Sequence, residues 1–317
     1  MNIVYLGSGQ FGIECLNALF KSRHRLQLIV THPAHPAGRG LKLAPTPIAA
    51  WAKENSLPVF ETEDVNSPEA VEKIKSASPD LIVVIAFSQK VSQNIVQLPP
   101  KGAINVHSSL LPKYRGAAPI NWAIINGEKE TGVSIITLAD KLDSGDILAQ
   151  TKTPIEPDEN AGQLSDRLSL LAALLLLETI DAIESGKANY TKQDNSLATK
   201  APKLKKSDGF IDFNEPAQIL RRKILGLYPW PGASANYLSK KTGKTDLITF
   251  ADACVVEPHN PEHLPPGTLD KNLNIICSQN ALRIIRIKPA GKAVMSFSAF
   301  ANGRHTNPGD IFSKIQK

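Results

Sequence analysis

Cysteine is scarce in this 317-residue chain, and the three present, Cys15, Cys254 and Cys277, form no close pair. An odd, scattered set excludes both a disulfide framework and a zinc site of paired thiols, so the three read as buried structural thiols. Long apolar runs are missing as well. The longest, Leu168 to Leu177 with Ser169 inside it, is too short to span a bilayer and reads as a core helix. No cationic start followed by an apolar stretch precedes Met1-Asn-Ile-Val-Tyr-Leu6, which already reads as a strand, so a cytoplasmic protein is expected. Internal repeats and low-complexity tracts are also absent.

One absence is local and decides between functions. Gly7-Ser-Gly9-Gln-Phe-Gly12 follows the first strand and opens a helix, which satisfies the bare dinucleotide-binding pattern. The acid that should meet a ribose hydroxyl about 20 residues later is lacking. The second strand ends instead in Ile29-Val-Thr-His-Pro33, so no NAD is expected and the glycines read as a tight turn.

Charge is short of one sign in each part of the chain. Residues 1–188 hold 17 lysines and arginines against 20 acids, a net of −3, whereas residues 189–317 hold 19 against 10, a net of +9. A localised basic field attracts a polyanion, and RNA phosphate is the commonest one in a cytoplasm. Solubility alone is the plainer alternative.

The first half alternates strand and helix. Residues 2–6, 26–30, 80–86, 103–107 and 132–138 read as strands, and 9–20, 48–55 and 68–76 as helices. This pattern predicts a doubly wound, Rossmann-like, largely parallel sheet. A helix over about 161–185 follows. Residues 189–208 are polar and lysine-rich, the mark of a basic linker between a domain of 1–188 and one of 209–317. Short β-like runs at 273–277 and 281–288 predict a small β-barrel in the second domain. The segment His32 to Lys42 is rich in proline and glycine, and no regular element is expected there.

Chemistry concentrates in Asn105-Val-His107-Ser-Ser-Leu-Leu-Pro-Lys-Tyr-Arg-Gly-Ala-Ala-Pro119 and Leu142-Asp-Ser-Gly-Asp146. Asn105 and His107 are two apart at the carboxyl end of a strand, so their side chains share a face. An amide can hold a developing oxyanion, an imidazole can donate a hydrogen bond or proton, and a carboxylate such as Asp143 can orient the imidazole and accept an ammonium proton. Together they suit acyl transfer to an amine without a covalent nucleophile. Asp146 reads as a stabiliser of its Ser-Gly turn.

These segments, with Pro36-Ala-Gly-Arg39-Gly, Pro45-Thr-Pro47, Gly127 to Gly132 and Pro229-Trp-Pro-Gly-Ala233, resemble the formyltransferases that use 10-formyltetrahydrofolate. The likeness runs through nearly the whole chain and is strongest to members that formylate the methionyl initiator tRNA. It departs at Ser108 and Lys141, where glycine is usual, and at Phe87-Ser88, where Tyr-Gly is usual. The resemblance implies a catalytic set of Asn105, His107 and Asp143 and folate contacts at Ser109, Leu110, Leu111 and Pro112, a segment that could also be only a rigid turn. It implies an OB-like barrel for the second domain, and a loop carrying Arg39 and Lys42 that reads the acceptor end of the tRNA. Phosphate contacts are expected from Lys203, Lys205, Lys206, Arg221 and Arg222, with Lys223 beside them; solvated surface is the alternative. Tyr114 and Arg115 could be structural. The expected co-substrate is 10-formyltetrahydrofolate, with no metal, no membrane partner and a single chain acting alone.

Three other readings compete. A nicotinamide-dependent oxidoreductase lacks its ribose-binding acid, and a non-catalytic RNA-binding protein would not need Asn105, His107 and Asp143 together. A sugar-nucleotide formyltransferase, the nearest of the three, would not need the basic second domain or the Gly38-Arg39-Gly40 loop.

Overall fold

In the computed structural model the β-branched runs of the first half become strands buried on both faces; residues 1–37, 42–258 and 263–316 are described. In chain order the strands are β1 (Asn2–Gly7), β2 (Arg25–Thr31), β3 (His35–Ala37), β4 (Lys42–Ala44), β5 (Val59–Glu61), β6 (Leu81–Ile85), β7 (Ala103–His107), β8 (Arg115–Gly116), β9 (Glu130–Thr137), β10 (Ile147–Pro154) and β11 (Lys200–Ala201). The helices are α1 (Ile13–Lys21), α2 (Pro47–Glu54), α3 (Pro68–Ser76), α4 (Gln93–Val96), α5 (Pro119–Asn126) and α6 (Ala161–Glu184). Two of these helices start where the sequence marks a start. Thr46 and Ser67 accept hydrogen bonds from the backbone N–H groups of Ala49 and Ala70, and each is followed by a proline at the first helical position.

The main sheet runs β10-β9-β7-β6-β1-β2-β5. Pairing is parallel from β7 to β5, and β9 lies antiparallel to both its neighbours. The chain winds outward from β1 to β5, then returns to place β6 and β7 on the other side of β1. This reversal is the point beside which such sheets bind ligands, outside the carboxyl ends of the strands. Val4 and Leu6 of β1 pack with Ile74 of α3, Ile82 and Val84 of β6, and Ile95 of α4. Each such side chain contributes about 1.5–3 kcal/mol by leaving water.

Tyr5 points to the opposite face and explains the glycine turn that follows it. A Cβ on Gly12 would overlap the Tyr5 hydroxyl oxygen, and one on Gly7 would lie 2.6 Å from the Tyr5 ring. Close packing against a buried tyrosine therefore accounts for both glycines. At the end of β2, buried Thr31 hydrogen-bonds the hydroxyls of Ser8 and Thr46.

By its contacts the chain forms two compact units. The first comprises residues 1–119, 130–154 and 165–202; the second comprises 120–129, 155–164 and everything from Lys203 onward. The stretch read from sequence as a linker from residue 189 is thus part of the first unit up to Pro202. Its polar side chains bond to backbone groups there, so it needs no apolar periodicity to be ordered. The segment from His32 to Lys42 also differs from expectation: β3 and β4 pair antiparallel as a short hairpin. Proline at position 36 is tolerated because this is a two-stranded ribbon with open edges.

The second unit contains α7 (Ala217–Leu227), β12 (Ala233–Leu238), β13 (Thr245–Val256), β14 (Ile275–Ile276), β15 (Ala281–Pro289), β16 (Met295–Ser296), α8 (Phe297–Arg304) and β17 (Ile311–Ser313). Its strands run β14-β15-β13-β12-β17, with β16 also on β15. Bridges from Thr268 to Ile311 and from Leu269 to Ile275 join the two ends, giving a nearly closed OB-like barrel. Of the run 273–277 only Ile275 and Ile276 are strand; Leu273 sits at φ 60° and turns the chain into it. The barrel core is aromatic: Tyr237, Phe250 and Phe312 interlock, with Tyr237 to Phe312 at 5.2 Å and Phe250 to Phe312 at 5.5 Å between centroids. The Tyr237 hydroxyl donates to Asp310 at 2.6 Å. Burial, with the help of that carboxylate, pushes the Tyr237 phenol up to about 12.

Candidate active site

The site is built on β7. Asn105 and His107 project from the same face as Ala103, which packs in the core below them. Because β9 is antiparallel to β7, its last residue Thr137 lies beside Ile104. The loop that follows, residues 138–146, folds back over β7 and brings Asp143 to both side chains. Asn105 Nδ2 donates to Asp143 Oδ1 at 3.4 Å, and His107 Nδ1 lies 3.6 Å from Asp143 Oδ2. The His107 and Asp143 side chains are each only 7% exposed.

The other ring nitrogen fixes the imidazole. His107 Nε2 is 2.9 Å from the carbonyl oxygen of Tyr114. A carbonyl only accepts, so Nε2 carries the hydrogen and Nδ1 is the atom presented to Asp143. Tyr114 adopts a left-handed conformation, φ 62°, that aims this carbonyl. Asp143 is also left-handed, φ 52°, and its Oδ2 accepts the backbone N–H of Gly116 at 2.8 Å. Such conformations cost a non-glycine residue on the order of 1 kcal/mol or more and concentrate at working sites. Ser88, at φ 65° in the loop after β6, is a third, which explains why glycine is usual there.

The Asp143 loop is closed at its base. Thr137 N–H donates to Asp146 O and Asp146 N–H donates to Thr137 Oγ1, each at 2.9 Å. Asp146 therefore acts through its backbone. A Cβ on Gly145 would overlap the Thr137 carbonyl oxygen, so only glycine fits.

Residues 109–112 are tied inward. Leu111 N–H donates to Ser134 Oγ at 3.0 Å, and that hydroxyl donates to Ser109 O at 2.6 Å. Gln150 Nε2 donates to Leu111 O at 2.9 Å, and Ser109 Oγ donates to Lys113 O at 2.7 Å. The Ser109 and Leu111 side chains are buried. This is the geometry of a rigid turn, with Leu110 and Pro112 left partly exposed. Ser134 and Gln150, which hold it, carry no motif, and nothing in the sequence marks them.

Two more features lie near this loop. A recess of about 300 Å³ is lined by Asn66, Lys90, Val91, Ser92, Gln93 and Asp140, and Gln93 Nε2 donates to Asp140 at 3.0 Å. Arg115 and Gln193 also join the site: Gln193 Nε2 donates to the carbonyls of Asp143 and Gly145. Elsewhere among the described residues, His24, Asp181 and Glu184 form the one grouping with metal-ligand spacing. Arg23 already pairs with both of its carboxylates, at 2.7 and 2.6 Å.

The basic residues scatter. Lys42 is exposed on β4, and Lys203, Lys205 and Lys206 are exposed at the start of the second unit's main segment. Arg221 is turned inward, bonded to Asp158 and to the carbonyls of Pro157 and Ala253. Arg222 packs its guanidinium against Gly127, and Lys223 pairs with Glu215 at 2.6 Å. Arg39 lies outside the described residues.

Residues 1–180 match the formyl transferase family model, and residues 203–305 match its C-terminal domain. The chain belongs to the formyltransferase family. Its relatives include the methionyl-tRNA formyltransferase of Geobacter metallireducens, 39% identical over 309 residues that cover 98% of this chain and 97% of that one. The enzyme of the same name from Caldanaerobacter subterraneus is 39% identical over 315 residues, covering 98% and 99%. Among solved structures, HypX from Aquifex aeolicus aligns with TM-score 0.65 at 17% identity, over all of this chain and 53% of its own. An N-formyltransferase from Helicobacter canadensis aligns with TM-score 0.61 at 14% identity, covering 89% of this chain and 98% of that one. At such identities these two share the formyltransferase fold. No helix among the described residues is long and apolar enough to cross a membrane.

Proposed function

We propose that the chain transfers the formyl group of 10-formyltetrahydrofolate to the α-amino group of methionyl initiator tRNA, acting alone in the cytoplasm. The observation that carries the chemistry is the seating of Asp143 between the Asn105 amide and the His107 imidazole, at 3.4 and 3.6 Å. The substrate follows from full-length relatives of that name.

In the reaction the C–N bond to N10 breaks and a C–N bond to the amine forms. The amine loses one proton and N10 gains one, so the site needs an acceptor and a donor. Asp143 takes the proton from the attacking amine and hands it to Nδ1 of His107, whose Nε2–H stays on the Tyr114 carbonyl, and Nδ1 passes that proton to the departing N10. One Asn105 N–H bonds Asp143, and the other donates to the formyl oxygen as negative charge develops on it. Burial of the cluster strengthens these interactions, because little water competes. The partly exposed faces of Leu110 and Pro112, held by the rigid turn, offer apolar contact to the donor's ring system.

Phosphate contacts of the tRNA fall to the exposed Lys42, Lys203, Lys205 and Lys206 and to Arg222. Arg221 has a weaker claim, since its donors already have acceptors. Arg39, by resemblance, reads the acceptor end. Incubation with labelled 10-formyltetrahydrofolate and charged initiator tRNA tests donor, acceptor and reaction together. Label appearing on methionine esterified to tRNA is the expected result; label retained on the folate would overturn the reading.

A further inference from the structure

Asp143 stands in a left-handed backbone conformation, φ 52°, that is uncommon for any residue but glycine, and contacts from outside the loop hold it there. Its carboxylate is held by Gly116 N–H. Its carbonyl is held by Gln193, whose Nε2 donates at 2.9 Å to Asp143 O and at 2.8 Å to Gly145 O. The Gln193 amide cannot be turned round. Its Oε1 faces two donors of Arg115, Nε at 3.1 Å and Nη2 at 2.7 Å, so reversal would set N–H against N–H and oxygen against two carbonyls. Arg115 is in turn braced by Asn195 Oδ1 at 2.9 Å.

The two ends of the clamp are mechanically joined. Arg115 and Gly116 are consecutive and form β8, which pairs with Lys200–Ala201 of the same segment that carries Gln193. Arg115 N–H also donates to Thr199 O at 2.9 Å, and Tyr114 N–H to Thr199 Oγ1 at 2.8 Å. One strip of chain, 193–201, therefore holds the Tyr114 carbonyl that fixes His107 and the loop that presents Asp143. Gln193 is half-buried while Lys192 and Asp194 on either side are exposed, as a clamp in a surface strip requires.

We propose that Gln193, oriented by Arg115, is a positioning residue that holds Asp143 in its working conformation against Asn105 and His107. The catalytic part of this inference rests on the formyl-transfer reading. Removing the outer partner of a metal-bound side chain costs on the order of 10–100-fold in activity, and a loss of that order is expected for Gln193→Ala. The loss belongs in kcat with KM for tRNA little changed, because the clamp acts on the reacting geometry.

The test uses the full-length protein with Gln193→Ala, Gln193→Glu, Arg115→Met and, as a neighbouring control, Lys192→Ala. Hydrogen exchange across residues 138–146 is read first, without substrate. Faster exchange confined to that loop in the first three variants, and none in Lys192→Ala, is the expected result; unchanged exchange in folded Gln193→Ala would overturn the clamp whatever the enzyme's activity. Kinetics then separate a positioning role from general loosening. Gln193→Ala should lower kcat in the wild-type background and have little further effect beside Asp143→Ala, whereas additive losses would refute action through Asp143. A wild type that forms no formylmethionyl-tRNA would sink the formyl-transfer reading and leave the exchange result to judge the clamp.

Discussion

At the scale of single residues, the proposed chemistry rests on three side chains and on the glycine that shapes their loop. Asn105→Ala, His107→Ala and Asp143→Ala should each lower kcat strongly, by about 10²–10³ for loss of the Asn105 oxyanion donor. Melting temperature and tRNA affinity should stay near wild type, and near-normal turnover in two of the three would exclude the proposed division of labour. Gly145→Ala is a sharper probe, because its Cβ would collide with the Thr137 carbonyl oxygen while touching no reacting group. The loop must then lift off β9. The expected outcome is a fall in kcat with little loss of global stability, read by formylation rate beside urea denaturation. These residues were legible in the sequence because acyl transfer to an amine admits few residue types, and their spacing set them on one face. Gln193 was not, since an isolated amide in a lysine-rich stretch has the same signature as solvated surface. Ser134 and Gln150 hid for a related reason: a polar group inside a strand shows its purpose only once its carbonyl partners are known.

Among elements, those with strong periodicity or a cap were readable, and those defined by tertiary pairing were not. The helix over Pro68–Ser76 and the strand over Ala103–His107 lie where the pattern put them, with a serine cap and a proline start for the first. By contrast β10, whose sequence Ile-Leu-Ala-Gln-Thr-Lys-Thr-Pro is half polar, exists because β9 pairs with it. The pairing of β3 with β4 likewise shows no strand signal in the sequence, since Pro36 sits within β3 itself. In the barrel, β12 holds a group whose ionisation reports on packing. The Tyr237 phenol is raised from about 10 when unfolded to about 12 in the fold, where it is 1% exposed. The folded state holds its proton longer, so this contribution is complete below about pH 10 and is lost as pH rises toward 12. Unfolding followed from pH 9 to 11 should therefore show stability falling in wild type above about pH 10, and a shallower fall in Tyr237→Phe. Equal slopes would mean that the phenol is not desolvated as the barrel packing implies.

On the scale of the whole molecule, charge is divided as the chain is divided, with the excess of lysine and arginine after residue 188. Lys203, Lys205 and Lys206 are exposed, so reversing all three to glutamate should weaken tRNA binding without changing the preference for initiator over elongator. The plot of log affinity against log salt should flatten by about 0.7–0.9 for each phosphate that the variant no longer neutralises. An unchanged slope would return these lysines to plain surface. The interleaving of the two units along the chain bears on how the protein is made. Ile120 and Ile124, buried in the finished protein, leave the ribosome long before β17, which completes the unit they belong to. At about 5–20 residues per second the gap is roughly ten to forty seconds. Until α7 emerges part-way through that interval and packs on their helix, α5, the nascent polypeptide lacks that partner for its apolar surface, so its yield in a cell depends on what covers the surface while translation catches up.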